Sequence, residues 1–235
     1  MKLLGILWDY DGTIIDTARK NMKVTIEVLK HYDKDIESHL PVALQSYENY
    51  QEANHKYKNW QDLYMNEFNV KEKDLGEIVT FWAPEQEKIK YIPDMFVGLK
   101  DIIKSLDIKM GICSQNSSTT IKSVLKYYGV LDKFEYIVGC DETGINHQKP
   151  DPSGFIKCVN NLKINKEDGF YIYIGDHSDD VTFARNAEKE LNKKVISIIA
   201  DYLGFNKDKY NSWTNIPDYY VSSTEELKEV LKKIL

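Results

Sequence analysis

Residues 3–13 read LLGILWDYDGT, a short apolar run that leads into two aspartates, a glycine and a threonine. The apolar residues are consecutive and do not alternate with polar ones, which is typical of a strand covered on both faces. Residues i and i+2 of an extended strand point the same way, so Asp9 and Asp11 can face one ligand. Gly12 permits a sharp turn directly afterwards, and Thr13 can hydrogen-bond to hold the loop. The stretch predicts a buried strand that carries two carboxylates at its end.

The rest of the chain repeats the pattern of buried strands separated by amphipathic helices. Four further strands are predicted at residues 108–114, 134–140, 170–175 and 194–200. Helical patterns lie between or beside them at residues 117–128, 151–162 and 179–191, and Ser-Thr-Glu-Glu at residues 223–226 matches the capping box of a last helix. Alternation of strand and helix predicts an α/β fold with a parallel sheet.

Residues 17–91 interrupt this alternation and contain no convincing strand. Met22, Ile26 and Leu29 share one helical face, which indicates a helix with one buried side. Four aromatic residues recur at helical spacing further on and are interpreted as the core of the insertion: Tyr57, Trp60, Tyr64 and Phe68. We expect residues 17–91 to form a helical domain inserted into a core of residues 1–16 and 92–235.

Composition excludes several classes of protein. The 235 residues include 37 acidic and 31 basic ones, and the formal charge of -6 argues against nonspecific binding to nucleic acid. The longest apolar runs are far shorter than the roughly 20 residues of a membrane-spanning helix, so no membrane partner is expected. Three cysteines cannot all pair and form no CxxC motif, which favours reduced thiols in a cytoplasmic protein.

Polar residues follow the predicted strands at the positions where each strand ends. They are Asp9 to Thr13 after the first strand, Ser114-Gln115-Asn116 after the second, residues 148–152 after the third, and residues 175–180 after the fourth. Ligands of open parallel sheets bind at the carboxyl ends of the strands. The sequence therefore predicts one site assembled from four separate segments.

These segments resemble the motifs of the haloacid dehalogenase superfamily, in its phosphatase branch with a helical cap inserted after the first strand. The match consists of Asp9-x-Asp11-Gly12-Thr13, Ser114, Lys149-Pro150 and Gly175-Asp176-x-x-x-Asp180, in the family's order and spacing. The resemblance covers essentially the whole chain. It implies a Rossmann-like α/β core, a cap at residues 17–91, dependence on Mg²⁺ and an aspartyl-phosphate intermediate.

The resemblance also implies a role for each matching residue. Asp9 would be the nucleophile, and Asp11 would protonate the leaving oxygen and later deprotonate the attacking water. The phosphoryl group would be held by Ser114, the backbone N–H of Gln115 and Lys149. The metal would be bound by Asp9, the backbone carbonyl of Asp11 and Asp176, with Asp180 ligating through water or pairing with Lys149.

Charge arithmetic supports a metal at this site independently. Asp9, Asp11, Asp176 and Asp180 would carry four negative charges, and a phosphate monoester adds about two. Such a site would repel its substrate without compensating cations. Oxygen ligands suit Mg²⁺ better than zinc, and the sequence offers no histidine pair or cysteine cluster for zinc.

The leading hypothesis is therefore a Mg²⁺-dependent phosphohydrolase that acts on a small phosphorylated metabolite. A phosphomutase of the same fold, which returns the phosphoryl group to a sugar, is the first alternative. A catalytically silent relative that only binds ligands is the second. A dehalogenase would leave Asp11 and the metal ligands without a role, and a receiver-like signalling module would not need the insertion.

Overall fold

A computed structural model describes the backbone of residues 1–235 and every side chain except that of Ile145. The chain divides into two compact units. Met1–Asp16 and Asp94–Leu235 form the first unit, and Thr17–Pro93 forms the second. No helix of the described residues is long and apolar enough to span a bilayer.

The first unit is built on a six-stranded sheet in which all pairings are parallel. In chain order the strands are β1 (Leu3–Trp8), β2 (Ile15–Asp16), β3 (Asp94–Met95), β4 (Met110–Cys113), β5 (Tyr136–Val138), β6 (Phe170–Gly175), β7 (Val195–Ala200) and β8 (Tyr219–Val221). The order across the sheet is β5-β4-β1-β6-β7-β8, and β2 pairs with β3 in a separate ribbon. The α/β class predicted from the sequence is confirmed.

The ten helices of the described chain are α1 (Ala18–Leu29), α2 (Tyr47–Lys56), α3 (Trp60–Glu67), α4 (Leu75–Lys88), α5 (Leu99–Ser105), α6 (Ser118–Tyr128), α7 (Cys140–Thr143), α8 (Ser153–Asn161), α9 (Ser178–Leu191) and α10 (Thr224–Ile234). The first four belong to the second unit and the others to the first. Predicted helices at residues 117–128, 151–162 and 179–191 correspond to α6, α8 and α9.

Strand β1 lies in the middle of the sheet because both of its faces are apolar. Ile6 and Trp8 pack into one core cluster, and Leu7 between them packs into a second cluster on the opposite face. The chain runs from β1 outward through β4 and β5, and then returns to β6 on the other side of β1. This reversal of strand order makes the carboxyl end of β1 the expected ligand crevice.

Five elements of this unit were not predicted from the sequence: β2, β3, α5, α7 and β8. Strand β8 has only three residues and lies at the edge of the sheet, so it lacks the long apolar run of a buried strand. The third predicted strand, at residues 134–140, is shorter in the structure because only Tyr136–Val138 pair with β4. The strands of the six-stranded sheet were thus predictable except β8, in which only Val221 is buried.

The capping motif at residues 223–226 begins α10, with one difference from the sequence pattern. The Ser223 hydroxyl accepts a hydrogen bond from the backbone N–H of Glu226 at 3.1 Å. The Glu226 carboxylate accepts from the backbone N–H of Ser222 and not from that of Ser223. Both interactions still satisfy donors at the helix start.

The second unit is helical and has its own apolar core, formed by residues of α1 to α4 and the turns between them. Tyr64 and Phe68 of the aromatic stripe are buried, whereas Tyr57 and Trp60 are partly buried against the same core. The rings of Tyr64 and Phe68 meet edge to face with centroids 5.3 Å apart. The stripe therefore serves packing, as its spacing predicted.

The chain passes between the two units at the β2–β3 ribbon. Its strands are antiparallel, and Ile15 pairs with Met95 while Asp16 pairs with Asp94. Thr17 follows the first strand directly, and Pro93 precedes the second. The two crossing segments are therefore hydrogen-bonded to each other, and both belong to the first unit.

Candidate active site

The loop after β1 turns sharply while Asp9 remains in register with the sheet. The backbone N–H of Asp9 donates to the carbonyl of Ile174 in β6 at 2.7 Å. Gly12 then adopts a φ of +73°, which favours glycine. A Cβ built on Gly12 would lie 2.1 Å from Oδ2 of Asp176, so glycine is also required for space. The turn brings the backbone of the first motif against the carboxylate of the fourth.

Lys149 lies between two of the buried carboxylates. Its Nζ donates to Oδ1 of Asp9 at 2.5 Å and to Oδ1 of Asp180 at 2.7 Å. The side chains of all three residues are less than a tenth exposed. The hydroxyl of Tyr173 also donates to Oδ1 of Asp180 at 3.2 Å, and its ring lies beneath the ammonium group. The fourth-motif acid and the third-motif lysine thus form a buried pair beside Asp9.

Asp180, and not its neighbour Asp179, belongs to the acidic cluster, because its carboxylate closes the loop after β6. Its Oδ2 accepts from the backbone N–H groups of Asp176 and His177 at 3.1 and 3.0 Å. The backbone N–H of Asp179 donates instead to the His177 ring at 3.3 Å. His177 therefore serves at the start of α9, where its ring accepts a hydrogen bond from the helix backbone.

Three carboxylates converge at this edge of the sheet. One oxygen from each of Asp9, Asp176 and Asp180 lies within 4.8 Å of the other two. Burial raises the pKa of Asp9 from its ordinary 3.8 to about 7, and the charges of Asp180 and Asp11 act in the same direction. Burial also raises the pKa of Asp176 well above its ordinary value, with Asp180 and Asp9 adding to the effect.

The pKa of Asp180 shifts in the opposite direction, because Lys149 pairs with its carboxylate. Burial alone would raise the pKa of its carboxyl, but the ammonium of Lys149 and the hydrogen bond from it hold the pKa below its ordinary value. Burial likewise opposes the charge of Lys149, yet Asp180 and Asp9 raise the pKa of Lys149 well above its usual range. Lys149 and Asp180 are thus an ion pair, whereas ionisation of both Asp9 and Asp176 would leave negative charge without a full counter-charge.

The cluster fits a divalent cation. Two buried carboxylates and the partly buried carboxylate of Asp176 face one ammonium group, so charge is left uncompensated when all are ionised. All available donors are oxygen atoms, which suits a hard cation. The raised pKa values of Asp9 and Asp176 express the same shortage of positive charge.

Asp11 occupies a separate environment from Asp9, although it is only two residues away. Its Oδ2 accepts from the Ser114 hydroxyl at 3.3 Å. The side-chain amide of Asn116 donates to its Oδ1 at 3.0 Å and to its Oδ2 at 3.3 Å. Asp11 is therefore hydrogen-bonded to two neutral donors of the second segment, Ser114 and Asn116, and not to an ammonium group.

Gln115 and Asn116 extend the role of the second segment beyond Ser114. The Gln115 amide donates to the backbone carbonyl of Lys149 at 3.3 Å, which ties the second and third motifs together. From the sequence, Asn116 was only part of a polar strand end and had no assigned role. Its position two residues after Ser114, still within the polar turn that follows β4, was the available signal.

A second residue that sequence reasoning missed lies in the long loop after β7. The buried amide of Asn206 donates to the backbone carbonyl of Asp176 at 2.7 Å. Asp201 orders that loop by accepting from the backbone N–H groups of Phe205 and Asn206 and from the Tyr220 hydroxyl. Because the loop contains no motif or regular periodicity, no pattern in the sequence pointed to this contact.

Comparison with known proteins agrees with this fold. Residues 6–191 match the family model described as haloacid dehalogenase-like hydrolase, and the chain belongs to that family. The protein is thus a hydrolase of the haloacid dehalogenase-like class, and named phosphatases are among its relatives.

Individual relatives are distant and cover between 68% and 99% of the chain. A protein of Caldanaerobacter subterraneus subsp. tengcongensis, named provisionally as the pyrophosphatase PpaX, is 23% identical over 99% of this chain and 96% of its own length. The fructose-1-phosphate phosphatase YqaB of Escherichia coli K12 is 24% identical over 68% of this chain and 80% of its own length. The crystal structure of a predicted phosphatase from Clostridium acetobutylicum covers 99% of this chain and 100% of its own with a TM-score of 0.76, at 19% identity.

Proposed function

We propose that the protein is a Mg²⁺-dependent phosphohydrolase that cleaves a small phosphorylated metabolite through an aspartyl-phosphate on Asp9. The observation that carries this proposal is the contrast between two carboxylates on one turn. Asp9 lies against the ammonium of Lys149, whereas Asp11 accepts from the neutral side chains of Ser114 and Asn116. Carboxylates in separate environments can take separate roles in one reaction.

Asp9 is the proposed nucleophile. Its carboxylate oxygen attacks phosphorus, a P–O bond to Asp9 forms, and the bond from phosphorus to the ester oxygen breaks. Attack requires the ionised carboxylate, and the neighbouring ammonium of Lys149 favours that form. Hydrolysis of the aspartyl-phosphate then returns the free carboxylate.

Asp11 is the proposed acid and base. Its carboxyl proton passes to the ester oxygen as that oxygen leaves, and the resulting carboxylate accepts a proton from the water that attacks the aspartyl-phosphate. The proton count closes over the cycle because the proton taken from water restores the acid. A residue with both duties must lie close to Asp9, and the two residues share one turn.

The transferring phosphoryl group needs positive charge and hydrogen-bond donors. We assign these duties to Lys149, to the hydroxyl of Ser114 and to the backbone N–H of Gln115. Ser114 continues strand β4 by donating its own backbone N–H to the carbonyl of Val138, so its position is set by the sheet. Lys149 is held by Asp9 and Asp180.

We assign Mg²⁺ to the side chains of Asp9 and Asp176 and to the backbone carbonyl of Asp11, with Asp180 acting through water and through Lys149. Two observations support this assignment. The three carboxylates converge, and Asp176 lies so close to position 12 that a Cβ there would overlap its carboxylate. When bound, the ion neutralises negative charge that gathers between nucleophile and phosphate.

Substrate identity is open within phosphate compounds. The relatives are named for pyrophosphate and for fructose 1-phosphate, so both belong in a first panel with glycolytic sugar phosphates. The expectation that residues 17–91 act as a cap that selects the substrate stays a prediction, as does a cytoplasmic location.

The proposal is tested by measuring phosphate release from this panel with Mg²⁺, with and without a chelator, for the wild type and Asp9→Asn. We expect chelator-sensitive release by the wild type and none above background by the variant. Conversion of a sugar phosphate to its isomer without free phosphate would favour the phosphomutase instead. Absence of either product with every phosphate compound would favour a protein that only binds.

A further inference from the structure

Asn116 is buried, and two of its hydrogen bonds link the second motif to Asp11. Its backbone N–H donates to the Ser114 hydroxyl oxygen at 3.1 Å. Its side-chain carbonyl accepts from the backbone N–H of Ser117 at 2.8 Å, and its side-chain NH₂ donates to both oxygens of Asp11. One residue therefore contacts the phosphate-binding hydroxyl, the start of α6 and the proposed acid.

The orientation of the Asn116 amide follows from its partners. The backbone N–H of Ser117 can only donate, so the side-chain oxygen must face it. That choice directs the NH₂ group toward Asp11, which accepts. A reversed amide would set its NH₂ group against the N–H of Ser117 and its oxygen against the oxygens of Asp11, leaving repulsive contacts on both sides. The turn before α6 thus presents a fixed donor to the carboxyl group.

We propose that Asn116 is a positioning residue for proton transfer, holding the Asp11 carboxyl so that its proton reaches the leaving oxygen. This inference rests on the proposed function. When Asp11 carries its proton on one oxygen, the amide donates to the other and restrains rotation of the carboxyl group. Asn116 itself gains and loses no proton, and it acts on the reaction only through the Asp11 carboxyl that it contacts.

The rate of P–O cleavage depends more on a proton donor when the leaving group is a poorer one. Dinitrophenolate is stable as an anion and needs little help, whereas phenolate and alkoxides need a proton as the P–O bond breaks. Misplacing the acid therefore slows cleavage of phenyl phosphate much more than cleavage of dinitrophenyl phosphate. Loss of folded protein, of metal or of phosphate affinity slows both esters alike.

The experiment compares kcat/KM for dinitrophenyl phosphate and phenyl phosphate in the wild type, Asn116→Ala and the similarly sized Asn116→Leu. The quantity kcat/KM reports steps up to loss of the leaving group, so slow hydrolysis of the aspartyl-phosphate does not hide the effect. Each ratio is taken within one preparation, which removes differences in active fraction. General acids contribute about 10²–10⁴-fold; we expect a selective loss of at least about 10-fold with phenyl phosphate in both variants.

Ser117→Ala is the matched control. The Ser117 hydroxyl accepts from the backbone N–H of Thr120 at the start of α6, in the same turn but without contact to Asp11. We expect this variant to keep the wild-type ratio of the two esters, even if it is less stable.

Two results would overturn the inference while the proposed function stands. One is an equal loss on both esters in the Asn116 variants, which would mean that the residue only shapes the turn. The other is faster cleavage of phenyl phosphate, which would mean that Asn116 restrains Asp11 away from the leaving group. A wild-type protein without activity on any phosphate compound would instead contradict the proposed function, and this inference with it.

Discussion

A Cβ atom on Gly12 would overlap the carboxylate of Asp176, at 2.1 Å from its Oδ2. These two residues belong to the first and fourth motifs, which are separated by most of the chain. The close approach depends on the positive φ of Gly12 and on the pairing of β1 with β6. It makes the absence of a side chain at position 12 a condition for the geometry of the acidic cluster.

Gly12→Ala is expected to weaken metal binding and to abolish most turnover. An alanine must either shift Asp176 or strain the backbone, and the strained φ alone costs about 1–3 kcal/mol. Gly129→Ala is the matched control, because Gly129 also has a positive φ of 67° but has open space around it. Calorimetric titration with Mg²⁺ measures the affinity of both variants, and we expect a loss in Gly12→Ala alone. Equal loss of Mg²⁺ affinity in both variants would refute a specific role for the Gly12–Asp176 approach.

Lys149→Met is expected to lower the free energy of unfolding of the metal-free protein by about 3–5 kcal/mol, because the buried carboxylates lose their cation. The partly exposed pair of Lys157 and Glu142, at 2.9 Å, provides the control. Removing its lysine in Lys157→Met should cost less than about 1 kcal/mol. Urea unfolding without metal measures both changes. A loss for Lys149→Met as small as that for Lys157→Met would show that the buried pair contributes little.

Stability without metal should depend on pH through Asp9. Its pKa is about 7 in the folded protein against an ordinary 3.8, so between these values the folded state holds a proton that the unfolded state has lost. Folding stability therefore falls as pH rises through this window, with a slope of up to about 1.4 kcal/mol per pH unit for one proton. Asp176 has a raised pKa as well and acts in the same direction.

The measurement is the difference in unfolding free energy between the wild type and Asp9→Asn, both free of metal, from pH 5 to 8. Asparagine does not titrate, so the variant should become more stable relative to the wild type as pH rises. A difference that stays constant over this range would contradict the raised pKa of Asp9. Added Mg²⁺ should flatten the curve of the wild type, because metal binding displaces the proton.

Much of the fold was predictable because buried parallel strands leave a plain signal. The runs that form β1, β6 and β7 are consecutive and mostly apolar, and each is followed directly by an aspartate. Strand β8 was missed because only its last residue, Val221, is buried, whereas the equally short edge strand β5 buries two apolar residues. The helical insertion was recognisable because its aromatic spacing fits α-helices and no strand.

The candidate site was predictable in its residues but not in its contacts. Motif order identified Asp9, Lys149 and Asp176, since strand ends of a parallel sheet meet at one edge. Two contacts depended on loop conformations that no periodicity encodes. The donation from Asn116 to Asp11 requires the turn after β4, and the donation from Asn206 to Asp176 requires the loop ordered by Asp201.

Covalent capture of the phosphoryl group tests the central claim most directly. Wild-type protein and Asp11→Asn are mixed with a cleaved phosphate compound and Mg²⁺, quenched in acid within milliseconds, digested and mapped by mass spectrometry. We predict one phosphoryl group on Asp9, with more of it in Asp11→Asn when a good leaving group is used, because water is then not activated. Turnover without label on Asp9, or undiminished turnover by Asp9→Asn, would contradict the account.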